Sequence, residues 1–259
     1  MGYFGSAPFV GVKFGSSSVS KIYFGSTLAW QPSAPNDPNF GNVKLLLHGE
    51  GANGSTTATD SSSYALTMTP SGSAKIGTAQ FKFGAASLDF NSGTNGAFTA
   101  PQSSCTVAAN ENYTIEAWIY PTAIFNGGAV GILEFAGSNA GTRISLALGR
   151  TGTRNTIAVN YNFSTSIVYH QGTVNLNEWT HIAMVRSSNV THTYINGIKS
   201  TTGFNHSSAL DNNSTLSLNI GPRQLGDQNK FYLDEVRLTV GLARYTADFV
   251  PPTTAFPDS

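Results

Sequence analysis

From Val43 to the C-terminus the chain is a succession of short apolar or alternating segments set off by Gly, Ser, Asn and Pro, and no window of ten or more residues keeps a helical period. The strongest strand signals are Val43–His48, Ser87–Phe90, Tyr113–Tyr120, Val130–Phe135, Arg143–Leu148, Thr156–Tyr161, Ser166–His170, Trp179–Arg186, His192–Asn196, Thr215–Ile220 and Phe231–Val240. About a dozen strands over roughly 215 residues predict an all-β chain folded as a two-sheet antiparallel sandwich. An aromatic content of 11% amid abundant Gly, Ser, Thr and Asn suits short strands joined by many turns.

Two details sharpen the prediction. Trp179–Arg186, a connection over Ser187–Val190, and Thr191–Ile195 read as a hairpin, and Asn196-Gly197 directly after it favours a left-handed turn into a further strand. In that register His181 faces Asn196 and His192 faces Val185. In Tyr113–Tyr120, Ile115, Ala117 and Ile119 share the core face, while Glu116, Trp118 and Tyr120 pack under a loop or line an open sheet.

The first thirty residues differ. Phe4-Gly5-Ser6, Phe14-Gly15-Ser16 and Phe24-Gly25-Ser26 recur at a spacing of ten, with alternating apolar runs between them. Each Gly-Ser reads as a turn and each run as a short strand. A segment this small cannot bury a core of its own and must dock on a larger body. Three prolines in the seven positions Pro32–Pro38 mark a linker. The predicted organisation is an anchoring arm over 1–32, a Pro-rich linker over 33–41 and a sandwich domain over 42–259. Phe4, Phe14, Tyr23, Phe24 and Trp30 are the expected apolar anchors of the arm, each supplying ~1.5–3 kcal/mol when withdrawn from water.

Charged residues make up 11% of the chain, and Lys plus Arg (14) balances Asp plus Glu (14). Without a basic run, neither nucleic acid nor an anionic membrane is an expected partner. The single Cys105 is expected as a small buried apolar residue. The opening Met1-Gly2-Tyr3-Phe4-Gly5 lacks the basic and apolar regions of a secretory signal, and no stretch approaches the ~18 apolar residues of a membrane-spanning helix.

Five segments resemble the laminin G-like, concanavalin A-type jelly roll, in the order that family shows. They are Phe83–Phe90, then Tyr113-Thr114-Ile115-Glu116-Ala117-Trp118-Ile119-Tyr120-Pro121, Glu178-Trp179-Thr180-His181-Ile182-Ala183, Tyr194-Ile195-Asn196-Gly197 and Leu233-Asp234-Glu235-Val236-Arg237. In the fourth, Asn stands where the family carries Asp. The resemblance spans Val43–Tyr245, about four-fifths of the chain, and implies the jelly-roll fold. Members of that family act as sugar binders, adhesion modules, glycosidase accessory domains and phage structural parts, so fold alone does not choose a function. The arm adds a second resemblance. Phe14-Gly15-Ser16 through Val19, then Lys21-Ile22-Tyr23-Phe24-Gly25-Ser26 to Trp30, is similar to openings of phage virion proteins.

Hydrolytic chemistry is not expected. A glycosidase of this architecture needs two carboxylates on one strand face, ~5–5.5 Å apart for a retaining mechanism. Glu116 is followed on its own face by Trp118 and Tyr120, and Asp234 and Glu235 point to opposite faces. The five histidines lie on separate segments with no His-x-His or His-x-x-x-His pair, and the Gly-rich loops lack a phosphate-binding Lys-Ser/Thr. The jelly-roll resemblance implies a possible structural Ca²⁺, for which Glu50, Asp60, Asp89 and Asp234 are the candidate ligands. Trp118, Tyr120, Tyr161 and Tyr169 are the candidate glycan contacts, as aromatic platforms among amide and hydroxyl donors.

The resulting expectation is a non-enzymatic virion protein, of a tail fibre or appendage or of a capsid surface. Its arm binds other virion proteins, the chain self-associates, and the jelly roll faces subunits or host surface polysaccharide. The alternative is a carbohydrate-binding or adhesion module of a cellular surface protein.

Overall fold

The computed structural model describes residues 36–92, 96–101, 104–124, 129–135, 144–151, 154–161, 166–210, 217–222 and 229–259, together with the backbone of four short strands in the first thirty residues. The chain divides into two compact units, Met1–Asp37 with Pro257–Ser259, and Pro38–Phe256. The division falls inside the Pro-rich segment. The last three residues group with the first unit, and the Asp37 N–H donates to the Ser259 carbonyl at 2.8 Å.

In the first unit, β1 (Lys13–Phe14) pairs antiparallel with β2 (Ser17–Ser18), and β3 (Ile22–Phe24) with β4 (Thr27–Trp30). Phe14 lies opposite Ser17 and Phe24 opposite Thr27, so each pair of strands flanks one Gly-Ser of the repeat. Of the predicted anchors, Phe4 lies outside the described residues, and only the backbone of Phe14, Tyr23, Phe24 and Trp30 is described.

The second unit is a two-sheet antiparallel jelly-roll sandwich. Its first six strands are β5 (Val43–Leu47), β6 (Thr69–Gly72), β7 (Lys75–Gly77), β8 (Ser87–Asp89), β9 (Gly96–Pro101) and β10 (Tyr113–Ala123). There follow β11 (Ala129–Phe135), β12 (Ile144–Thr151), β13 (Arg154–Tyr161), β14 (Ser166–Tyr169) and β15 (Thr180–Ser187). The last are β16 (Val190–Ile195), β17 (Ile198–Lys199), β18 (Phe204–Asn205), β19 (Ser217–Ile220) and β20 (Lys230–Val240). One sheet runs β17-β16-β15-β10-β20-β8-β7, with β18 added on β16 and β5 on β20. The other runs β14-β13-β12-β11-β19-β9-β6.

Alternation builds the core. Ile115, Ala117 and Ile119 of β10, Ile182 and Met184 of β15, and Leu233 and Leu238 of β20 point inward from the larger sheet. They meet Leu146 and Leu148 of β12, Ile157 and Val159 of β13, and Leu218 and Ile220 of β19 in one buried cluster. Cys105 lies in the same cluster, and burial, with the Asp60 charge second, pushes its thiol up to about 12.

The predicted hairpin has the predicted register, with Val185 opposite His192 and Asn196 bonded to the His181 backbone. Its connection is tighter than expected. Ser187 pairs with Val190, and the two residues between them, Ser188 and Asn189, take φ of 49° and 67°. Asn196 and Gly197 repeat that geometry at 47° and 81°. Both are the mirror-image turns that match strand twist.

Strands β6, β7 and β9 were not evident in the sequence. β6 reads Thr69-Pro70-Ser71-Gly72, a composition that argues against a strand anywhere but at an edge, and β6 is the edge strand of its sheet. β7 has three residues, too few to show a period, and β9 follows a Gly-rich stretch.

Candidate functional site

The outward face of the larger sheet is where this chain gathers its aromatic and charged side chains. Glu116, Trp118 and Tyr120 project there from β10 because their neighbours Ile115, Ala117 and Ile119 are committed to the core. The C-terminal segment after β20 lies over much of this face. Ala243, Tyr245 and Phe249 pack on Ala183, Val185 and Tyr194, and Phe256 packs with Val43 and Leu46. The Tyr245 and Phe249 rings stack with centroids 3.5 Å apart.

Glu116 pins the segment down. Its carboxylate is fully buried and accepts from the Arg244 guanidinium and from the Tyr245 hydroxyl at 2.7 Å, with His181 Nε2 3.3 Å away. Burial pushes this carboxyl up, but Arg244, then His181 and Tyr245, outweigh it and hold the group at about 2.

One row escapes the cover. In the sheet order β15-β10-β20-β8-β7, it runs Trp179, Tyr120, Tyr232, Asp89 and Lys75. Tyr120 is opposite Tyr232, Tyr232 opposite Asp89, and Asp89 opposite Lys75. Trp179 immediately precedes β15, and its ring lies 5.5 Å from that of Tyr120, tilted by 54°. Tyr232 braces Tyr120 from the other side at 6.2 Å. Trp179 and Tyr120 are partly exposed, whereas Tyr232 is largely buried.

Beside the rings stands a polar flank. Asp89 Oδ1 accepts from the Asn91 N–H at 2.8 Å and from its Nδ2 at 3.0 Å, and Lys75 Nζ is 3.8 Å from Oδ2. The Thr122 hydroxyl donates to Asn91 Oδ1. Ring surface next to amide, hydroxyl and charged groups suits a ligand whose own surface alternates C–H and O–H.

The four aromatics nominated from the sequence do not converge. Tyr120 is in the open row. Trp118, one row inward, is 6% exposed, with Lys82 Nζ 3.9 Å above its ring and Phe83 edge-on at 6.1 Å. It packs under a loop. Tyr161 turns inward against Phe204 and His206, each 5.2 Å away. Tyr169 stands on the opposite sheet, across from Ala158. Trp179 and Tyr232 were missed. Both were recoverable in principle: Tyr232 shares the outward parity of Asp234, and Trp179 that of His181.

The candidate calcium ligands each accept hydrogen bonds from nearby turn backbone. Asp60 accepts backbone N–H groups of Leu46, Ser62 and Leu66 at 2.8–2.9 Å, and Glu50 that of Ala85 at 2.8 Å. Asp234 Oδ2 accepts from Lys82 and Phe83 at 2.6 and 3.1 Å, and Asp89 accepts from Asn91. Among the described residues no three His, Cys, Asp or Glu side chains are grouped for a metal. These four carboxylates tie turns to strands.

Two buried groups predict a pH signature. Burial, then the Arg186 charge, lowers His206 to about 4. Burial raises Asp234 to about 7 against the N–H bonds of Phe83 and Lys82, and the Glu235 charge adds to the rise. Between pH 4 and 6.5 the unfolded chain binds a proton at His206 that the fold refuses, so this term makes stability increase with pH. Across 3.8 to 7 the fold retains a proton on Asp234 that the unfolded chain has released, so this term makes stability decrease with pH. Each is worth on the order of 3–4 kcal/mol over its window, and they oppose. His206→Asn is expected to leave a stability that falls as pH rises from 4 to 6.5, and Asp234→Asn one that rises. Denaturant midpoints across that range check both slopes, and parallel curves for the two variants would contradict the assignment.

The described fold is that of an all-β sandwich of the jelly-roll class, with a ring-lined row at one end of its larger sheet. The chain belongs to the concanavalin A-like lectin/glucanases superfamily, which matches residues 91–240. No curated protein sequence matches the chain. Among solved structures it resembles domain 4 of AbnA, a GH43 extracellular arabinanase from Geobacillus stearothermophilus, in complex with arabinotriose. The TM-score is 0.58 at 16% identity, over 78% of this chain and 94% of that one. It also resembles the binding domain of Paraclostridial Mosquitocidal Protein 1, with a TM-score of 0.59 at 16% identity over 80% of this chain and 50% of that one. The botulinum neurotoxin serotype D binding domain gives 0.56 at 13% identity, over 81% and 49%. The chain thus spans about half the length of either toxin binding domain. At these identities the likeness is one of fold.

Proposed function

We propose that this protein is a non-enzymatic, glycan-binding component of a phage virion. In this reading the jelly roll holds polysaccharide across Trp179, Tyr120 and Tyr232, with Asp89, Asn91 and Lys75 along the polar flank. The observation that carries the reading is the row itself. It is an outward aromatic surface that the chain's own C-terminal segment leaves uncovered, next to groups able to bond sugar hydroxyls. The fold likeness to an arabinanase domain solved with arabinotriose supports it.

A binding role is favoured over hydrolysis by the surroundings of the sheet carboxylates. The cross-strand neighbours of Glu116 are Ala183 and Arg237, and those of Glu134 are Ser145 and Asn219, so neither glutamate faces a second carboxylate across its strands. The virion assignment rests on the arm over 1–32, whose Phe-Gly-Ser repeat is too short to fold alone and whose role is to dock on other virion proteins. Self-association of the chain within the particle belongs to the same reading.

Trp179→Ala in the full chain is expected to weaken retention on a bound polysaccharide by roughly thirtyfold, the loss typical of a central aromatic anchor, while the thermal midpoint moves little. Glycan-array screening followed by affinity electrophoresis measures this. Equal retention of Trp179→Ala and wild type removes the row from the function. Deletion of residues 1–32 is expected to abolish incorporation into particles and to leave glycan retention unchanged.

A further inference from the structure

We infer that the ring-lined row selects anionic polysaccharide, of the carboxylated or sulfated kind, over neutral glycans; this rests on reading the row as a glycan surface. The chain carries no net charge, so any basic character at the row is local and not the spill-over of a cationic protein. Five lysines lie in residues 36–259, at positions 44, 75, 82, 199 and 230, and three of them border the row. Lys75 closes it on β7 with its side chain 35% exposed. Lys230 is exposed at the start of β20, two residues before Tyr232 and of the same outward parity. Lys82 lies over Trp118, which is two residues before Tyr120 on the same face of β10.

Among the described residues the carboxylates nearby leave two of these three charges without an ion pair. Asp89 offsets Lys75 across 3.8 Å. Asp234 is buried and accepts the backbone N–H groups of Lys82 and Phe83, not the Lys82 ammonium. Glu178 accepts from Asn175 Nδ2 at 2.8 Å. Among the described residues neither Lys82 nor Lys230 has an ion-pair partner.

Lys82 is also held in place. Its ammonium sits 3.9 Å from the Trp118 centroid and 5.7 Å from that of Phe83, a cation–π seat that restrains the long side chain before any ligand arrives. Two unbalanced cations, one on each side of a ring surface, complement a chain that carries a negative group on successive sugars. A neutral glycan would use the rings and leave both lysines unused.

The full-length protein is titrated with polygalacturonate, dextran sulfate and neutral dextran of matched length, at low salt and at about 0.3 M salt. The expected result is at least about tenfold tighter binding of a polyanion than of dextran. The advantage should be lost at high salt and in Lys82→Gln/Lys230→Gln. Trp179→Ala should weaken polyanion binding as well. Polygalacturonate and dextran sulfate separate carboxylate from sulfate as the recognised group, and preference for either supports the inference. Dextran bound as tightly as both polyanions, without salt dependence, overturns the charge selectivity and leaves the glycan reading intact. Polyanion binding that survives Trp179→Ala unchanged also overturns it, because charge alone would then hold the ligand away from the rings. No binding of any of the three, on a protein that Trp179→Ala does not alter, counts against the underlying reading.

Discussion

Replacing Arg244 with methionine should lower the unfolding free energy by about 3–5 kcal/mol, because it strands a fully buried carboxylate. Glu116 has no access to water, and its two oxygens take their hydrogen bonds from Arg244 and the Tyr245 hydroxyl, both on the C-terminal segment. The guanidinium also lies over the Phe256 ring at 5.2 Å, so it joins two parts of the segment as it neutralises the strand beneath.

The variant should differ in kind as well as in degree. With Arg244 in place, Glu116 titrates at about 2, below its ordinary 4.5, so its stabilisation is complete above 4.5 and is lost as pH falls toward 2. Without Arg244, burial dominates and the carboxyl rises above 4.5, so the variant should gain stability on acidification where wild type loses it. The double variant Glu116→Gln/Arg244→Met should recover most of the loss, since it buries no unpaired charge. Denaturant unfolding of the three variants at two pH values tests this, and an additive double variant would show that the pair is not coupled.

The second large effect is expected at Gly197. A Cβ there would stand 1.8 Å from the Phe249 carbonyl oxygen, and the backbone sits at φ 81°, where side chains are strained. The contact is a docking point, since the Phe249 N–H donates to the Gly197 carbonyl at 3.0 Å. Gly197→Ala should therefore cost roughly 1–3 kcal/mol of strain and should also lift the segment off the hairpin. The lifted segment should become cleavable near Arg244 by trypsin under conditions where wild type resists. Gly54→Ala is the control: φ is nearly the same, 84°, but nothing lies within 4 Å of the added carbon. It should cost only about 1 kcal/mol and leave the segment protected. Equal behaviour of the two alanines would mean that the backbone angle, and not the close approach, sets the cost.

The arrangement of the larger sheet explains both predictions and the location of the open row. The segment after β20 holds the middle of the face through Glu116, and the loop bearing Lys82 and Phe83 roofs Trp118. At the end of the face that bears them, Trp179 and Tyr120 keep their rings partly exposed.

Much of this was legible in the residues alone. Strict alternation in β10 separated Ile115, Ala117 and Ile119 from Glu116, Trp118 and Tyr120, because a strand has no choice but to send neighbours to opposite faces. The Asn196-Gly197 turn, the hairpin before it and the two-sheet class followed from local backbone preferences in the same way. Strands such as Thr69–Gly72 were invisible because their stability is lent by a neighbouring strand and not carried by their own composition.

The site divided along the same line. That Trp118 and Tyr120 share a face was determined by the chain. That one is roofed and the other open depended on Lys82 and Phe83, which lie 36 and 35 positions away from Trp118 in the sequence. The same holds for the carboxylates Asp60, Asp89 and Asp234: their identity suggested a cation, and only the folded backbone showed N–H groups already pointing at them. Periodicity is a local property and can be read from neighbours, whereas cover and hydrogen-bond partnership are set by segments that meet only when the sheets close.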